Sequence, residues 1–328
     1  MGSFEPASHT ILITGAGGFI GQALAAALLD ASPTYDLILA DVIQPAIPSP
    51  QHANRVMTVK SDLTSADACA ALLEPKFAAC YFLHDIMSGG AEANLELGLA
   101  VNIDSHRLVL DHLRRHQPGV VVVFPSSLAV YGPPLELGEV VSERTIPVPQ
   151  SSYGAEKLIV ETLVSDYSRR GLIDGRVVRL PTVIVRPGAP SAAASSFASG
   201  IVREPLKGEK SILPVGKDLE MWVCSPSTVV RNLVAMKDVP KEAFGVNRGR
   251  TVNLPGQTVT VGQILEALEA VGGKEKLALI EEKRDVKVEA IVRSWPARFD
   301  TSLAKKLGMV EDITLTEEVE SFARSLVA

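Results

Sequence analysis

The chain has 328 residues, 46% hydrophobic and 21% charged, with a formal net charge of −6 and a sequence pI near 5.6. That length holds one large α/β unit with an appended lobe, and the acidic balance gives no basic field for a nucleic-acid backbone. No apolar run approaches the roughly 20 residues that span a bilayer, so no membrane partner is expected.

Residues 1–9 are polar, contain Pro6 and lack the apolar stretch of a secretory signal, so they are expected to form a disordered tail. Gly2 does not begin a myristoylation signal, because position 6 holds proline where serine or threonine is required. Cys69, Cys80 and Cys224 are far apart and form no C-x-x-C pair. Reduced, buried thiols in a cytoplasmic protein are expected.

Thr10–Thr14 is a short apolar run ending in glycines, and residues 19–30 carry alanine and leucine at helical spacing. Strands are then expected at 36–41, 56–60 and 79–83, with a helix at 66–73. A long helix follows at 102–116, a buried strand at 120–124, a second long helix at 153–170 and a strand at 176–180. This alternation predicts a Rossmann-type, doubly wound parallel sheet over residues 10–182. Beyond it, Pro187, Pro190, Pro205 and Pro214 and an Ala/Ser stretch suggest a loop-rich substrate lobe. The lobe is expected to comprise mainly 183–220 and 255–328, with segments near 221–254 returning to the sheet. Within these stretches 228–236 and 261–271 read as helices and 250–254 as a strand.

Gly15, Gly18 and Gly21 form G-x-x-G-x-x-G around Phe19 and Ile20, between a strand and a helix. Backbone N–H groups and the helix's positive end there suit a pyrophosphate. Asp41 closes the second predicted strand, where a carboxylate accepts hydrogen bonds from ribose hydroxyls and repels a 2′-phosphate, so NAD is expected rather than NADP. Asp62 and Leu63 follow the third strand. They are candidates to touch adenine, and Asp62 also reads as a helix cap.

Tyr153 and Lys157 lie one helical turn apart. Tyrosine is ordinarily too weak an acid to exchange protons near neutrality, and a nearby cation favours the phenolate. Tyr153 is therefore the candidate acid/base, with Lys157 lowering its pKa and holding the nicotinamide ribose. Ser126 and Ser127 both end the preceding strand as candidates to hold the substrate oxygen, and Asn102 is a candidate to order a water that relays protons through Lys157. His112 and His116 have the spacing of two metal ligands but no partners in the sequence, so no metal is expected. His84 reads as a positional residue near the cofactor cleft.

Taken together, Ser126-Ser-Leu-Ala-Val-Tyr-Gly132 followed by Tyr153-Gly-Ala-Glu-Lys157 resembles the extended short-chain dehydrogenase/reductase family, which includes nucleotide-sugar epimerases and dehydratases. The resemblance covers about residues 10–310. It implies that Ser127 is the catalytic serine and that Pro181 and Val183 contact the nicotinamide carboxamide. It also implies a homodimer through the helices at 102–116 and 153–170. Segments such as Arg179-Leu-Pro-Thr-Val-Ile-Val-Arg-Pro-Gly188 and Ser294-Trp-Pro296 are similar to a subgroup that oxidises the 2-hydroxyl of a short sugar acid such as D-erythronate. An anionic substrate of that kind calls for a guanidinium, so Arg186 and Arg203 are candidates, with Ser88, Ser196 and Trp222 completing the pocket. An epimerase or dehydratase that recycles its NAD internally is the alternative.

Overall fold

A computed structural model describes residues 9–136, 138–245 and 249–326. Most of the expected N-terminal tail, including Gly2, lies outside the described residues. The strands, in chain order, are β1 (Thr10–Thr14), β2 (Asp36–Asp41), β3 (Val56–Lys60), β4 (Ala79–Phe82), β5 (Val121–Ser127) and β6 (Asp174–Leu180). They continue with β7 (Thr182–Val183), β8 (Ser211–Leu213), β9 (Glu220–Cys224), β10 (Thr251–Asn253), β11 (Gln257–Thr260) and β12 (Ile280–Glu282).

Seven strands form one sheet in the order β10-β6-β5-β4-β1-β2-β3, and every pairing in it is parallel. Parallel pairing requires helical crossovers, so both faces are covered and side chains of either parity are apolar. In β1, Ile11 and Ile13 face one core, shared with the helix Phe19–Ala31 and the helix Pro226–Met236, while Leu12 faces the other. The second core takes Val160 and Val164 from the helix Ser152–Arg169 and Val109, Leu110 and Leu113 from His106–His116. Chain order reverses between β1 and β4, and this switch point opens a crevice at the strands' carboxyl ends. Cys69, Cys80 and Cys224 are free and buried, and burial raises each thiol.

The smaller lobe contains the three-stranded sheet β11-β9-β7 and the parallel pair β12-β8. Its core joins the helices Ser196–Lys207, Val261–Gly272 and Leu315–Ser325 through Ile201, Val202, Ile264, Leu265 and Val319. The stretch expected to be loop-rich thus holds a twelve-residue helix, Ser196–Lys207, with Pro205 inside its last turn. Proline there removes one late hydrogen bond and leaves the buried side at Ala198, Ile201 and Val202 intact. Ala304 and Met309 share the core cluster that holds Val252 of β10 and Leu233 of the helix Pro226–Met236.

The expected helix from Asn102 begins earlier and differently. Leu99–Ser105 is π-helical and runs into the α-helix His106–His116. Such widened turns occur as local insertions in helices, often beside functional sites.

Candidate active site

β1 ends at the glycine loop. Gly15 has φ +67°, and a Cβ there would stand 2.4 Å from the Leu83 carbonyl. A Cβ on Gly21 would stand 2.6 Å from the Gly15 oxygen, so the loop folds against both β4 and its own helix only because these positions are glycine. Gly18 caps the helix Phe19–Ala31 without a side-chain hydrogen bond. The first N–H groups of that helix thus remain available to an anion, as a pyrophosphate requires. Asp41 accepts the Gly17 N–H through Oδ2 at 2.9 Å and holds the carboxylate at the loop's rim.

The loop opens into a cleft of about 860 Å³ lined by Gly15, Gly18, Phe19, Ile20, Gly21, Asp41, Asp62, Leu63, Tyr153, Lys157, Val183 and Arg186. A recess of about 100 Å³ adjoins it, lined by Ser88, Ser126, Ser127, Tyr153, Pro181, Val183, Arg186 and Trp295 among others. The glycine cradle, the uncapped helix and the rim carboxylate fit a dinucleotide with a free ribose diol.

Tyr153 stands in the first turn of the helix Ser152–Arg169, fixed by the Ser151 cap whose side chain accepts the Gly154 N–H. Burial first, then the charges of Asp85 and Glu156, push the Tyr153 phenol well above its ordinary value, and a hydrogen bond with Ser127 pulls it down. Ser127 also accepts the Ala129 N–H at 3.1 Å.

Lys157 departs from expectation. Its ammonium donates to Asp85 Oδ2 at 2.5 Å and to the Pro125 carbonyl at 2.8 Å, and it lies 5.6 Å from the centre of the Tyr153 ring. Asp85 follows β4 across the switch point, so the lysine charge is compensated before it reaches the phenol. In this arrangement Asp85 acts on the phenol with the sign opposite to that expected of Lys157.

Asn102 is completely buried, and its side-chain amide is occupied. Oδ1 accepts the Ile86 N–H at 2.7 Å, while Nδ2 donates to the Ile86 carbonyl at 2.9 Å and to Glu156 Oε2 at 2.6 Å. The side chain thus splints the segment after Asp85 to the helix Ser152–Arg169, with both amide N–H groups engaged. His84 is likewise positional: its ring bonds Thr14 Oγ1 at 2.6 Å and Ser105 Oγ at 3.0 Å and stacks on His106. Burial, then Lys157, lowers it to about 3, so it is neutral at ordinary pH. Asp62 is not a helix cap. It accepts from Thr64 N and Oγ1, and Ser65 caps the helix Ala66–Leu72.

The substrate candidates divide. Arg186 faces both the cleft and the recess; its Nη2 donates to Ser191 Oγ at 3.1 Å and its buried Nε has no partner. Burial, then the charge of Arg203, pulls its guanidinium below the ordinary value, as for a cation lacking a counter-anion. Val185, just before it, is a β-branched residue held at φ 56°, a strained conformation of the kind found at functional sites. Arg203 does not line the cleft: it is buried, donates to Glu204 Oε1 and the Arg186 carbonyl, and braces Arg186 from beneath. Ser88 lines the recess and accepts the Ala194 N–H at 3.1 Å. Ser196 instead secures the loop by accepting the Ser191 N–H, and Trp222 stacks on Phe299 with ring centres 5.1 Å apart, outside both cavities.

Two residues escaped the sequence reading. Asp85 could have been suspected as the first charge after the wholly apolar Ala79–Leu83 run. Trp295, inside a segment noted for its resemblance, brings an indole Nε1 that is buried without a partner. Among the described residues no group of three or more potential ligands is placed to hold a metal ion, and no helix is long and apolar enough to cross a membrane.

The fold and this cleft belong to a class. Residues 11–241 match the model of the NAD dependent epimerase/dehydratase family, and the chain belongs to that family. It is an NAD-dependent oxidoreductase of the extended short-chain dehydrogenase/reductase type. Particular relatives are similar over nearly its whole length. The D-erythronate dehydrogenase of Haemophilus influenzae is 40% identical over 95% of this chain and 98% of its own. That of Cupriavidus necator is 42% identical over 95% of this chain and 97% of its own. Among solved structures, a nucleoside-diphosphate-sugar epimerase from Agrobacterium tumefaciens superposes with a TM-score of 0.89 at 32% identity, covering 100% of this chain and 97% of that one.

Proposed function

We propose that the chain oxidises the 2-hydroxyl of a short sugar acid such as D-erythronate to the 2-oxo acid. The observation that carries this reading is Arg186, an under-partnered guanidinium facing the recess that also holds Tyr153 and Ser127. The similarity to two D-erythronate dehydrogenases over nearly the full length supports the same substrate class.

Bound NAD supplies the hydride acceptor. Gly15, Gly18, Gly21 and the helix they open hold its pyrophosphate; Asp41 receives the adenosine ribose; Lys157 receives the nicotinamide ribose; Pro181 and Val183 flank the carboxamide. Ser127 holds the substrate hydroxyl and Tyr153 takes its proton as the carbon loses hydride. Arg186 receives the carboxylate through a two-pronged, charge-assisted contact that a lysine cannot reproduce. The domain division and a homodimer through the helices at 102–116 and 153–170 belong to the same proposal, the latter checked by molecular mass in solution.

Purified enzyme mixed with NAD and D-erythronate is expected to produce NADH, read at 340 nm. No NADH from any four- or five-carbon aldonate refutes the reading. The second reading, an epimerase or dehydratase with internally recycled NAD, draws on the likeness to the Agrobacterium epimerase. It predicts cofactor retained through purification and no net NADH.

A further inference from the structure

The catalytic end of the cleft carries an unusual balance of charge. Of the charged side chains lining the cleft, Asp41 and Asp62 belong to the glycine-loop end, while Lys157, Arg186 and Asp85 stand with Tyr153. Two cations therefore face the place where the nicotinamide must lie, opposed by one carboxylate. His84 beside them is neutral, and Glu156, on the other side of the helix turn, is bonded to Asn102.

The oxidised nicotinamide ring is itself a cation, and its reduced form is not. Two protein cations in a partly enclosed site would favour the reduced cofactor, the wrong product bias for an enzyme that must take up NAD⁺ and release NADH. Charges a few ångströms apart in such a site interact by kilocalories even at an effective dielectric constant of about 20. Asp85 reduces that bias, setting one carboxylate against the two cations. Its Oδ2 is bonded to Lys157, and its Oδ1 is buried with no donor among the described residues. A buried acceptor left unpaired is costly, and a cofactor hydroxyl reaching Lys157 would bring the missing donor.

We propose that Asp85 is a positioning residue for the cofactor: by neutralising Lys157 and placing a carboxylate beside the nicotinamide riboside, it sets the preference of the site for NAD⁺ over NADH. This rests on the placement of the nicotinamide at Tyr153 and Lys157, not on the identity of the substrate.

The test is cofactor binding without substrate, by calorimetric titration of the full-length enzyme with NAD⁺ and with NADH. Asp85→Asn keeps the shape and removes the charge. The ratio of the dissociation constants, NAD⁺ over NADH, is expected to rise more than fivefold, through weaker NAD⁺ binding. A ratio within fivefold of the wild-type value overturns the proposal, including the case in which both forms weaken together as a purely structural role would have it. Asp85→Ala, which removes bulk as well as charge, gives the same readout if the asparagine variant does not fold. Because no turnover is measured, a wrong substrate assignment leaves the result unaffected.

Discussion

Replacing Arg186 by glutamine separates recognition of the acid from the chemistry done to it. The guanidinium has one side-chain partner, Ser191 Oγ at 3.1 Å, and the bonds that stabilise the surrounding loop run through its main chain: its N–H to Ser199 Oγ and its carbonyl from Arg203. The variant is therefore expected to fold. What it lacks is a charge-assisted pair of hydrogen bonds to the substrate carboxylate, a contact of about 1.5–3 kcal/mol, or roughly 10- to 150-fold in affinity. Initial rates of NADH formation at saturating NAD are expected to show KM for D-erythronate raised by that factor, with kcat changed less. Arg186→Lys retains the charge without the fork, and its KM should fall between the two. If Arg186→Gln leaves KM within threefold of wild type while the melting temperature is also unchanged, the carboxylate sits elsewhere and the argument from the under-partnered guanidinium fails.

Asp41→Asn keeps an acceptor for the Gly17 N–H but loses the charge at the rim, so discrimination against NADP should narrow by about tenfold or more; equal NAD/NADP ratios of kcat/KM for variant and wild type would show that Asp41 does not select the cofactor. Glu161 and Arg179 form a buried two-bond pair at 2.9 and 2.6 Å, so Glu161→Gln should leave a buried guanidinium uncompensated and lower stability by about 3–5 kcal/mol. Chemical denaturation measures this, and a loss below 1 kcal/mol counts against it. Glu318 is raised from 4.5 to about 7 by burial and then by Asp312. The unfolded chain releases this proton first, so the folded state loses stability as pH rises between those values and regains none above them. Glu318→Gln should accordingly raise Tm at pH 8 and leave it nearly unchanged at pH 4.5; a Tm difference that does not vary with pH would contradict this.

The sheet was readable because strands such as β1, β2 and β4 are short, mostly apolar runs, and parallel strands buried on both faces need little else. The helix Ser196–Lys207 was hidden because its Ala/Ser content and Pro205 resemble a loop, and only the lobe core shows that Ile201 and Val202 share a buried side. The site divides along the same line. Tyr153, Lys157 and the glycine loop are local patterns, each set by spacing along one element. The partner of Lys157 is 72 residues away in sequence, and no spacing rule joins the end of β4 to the middle of a later helix. Strand order does: β4 lies beside β5, and the helix Ser152–Arg169 packs over β5 and β6. The same distance separates what the local motif implies from what the assembled site does. A Tyr/Lys pair alone is a device for making phenolate, whereas Asp85 against the lysine pushes the phenol the other way. The acid limb of oxidation is then set by three groups rather than two. Removing the carboxylate should move that limb to lower pH, the reverse of what loss of the lysine would do.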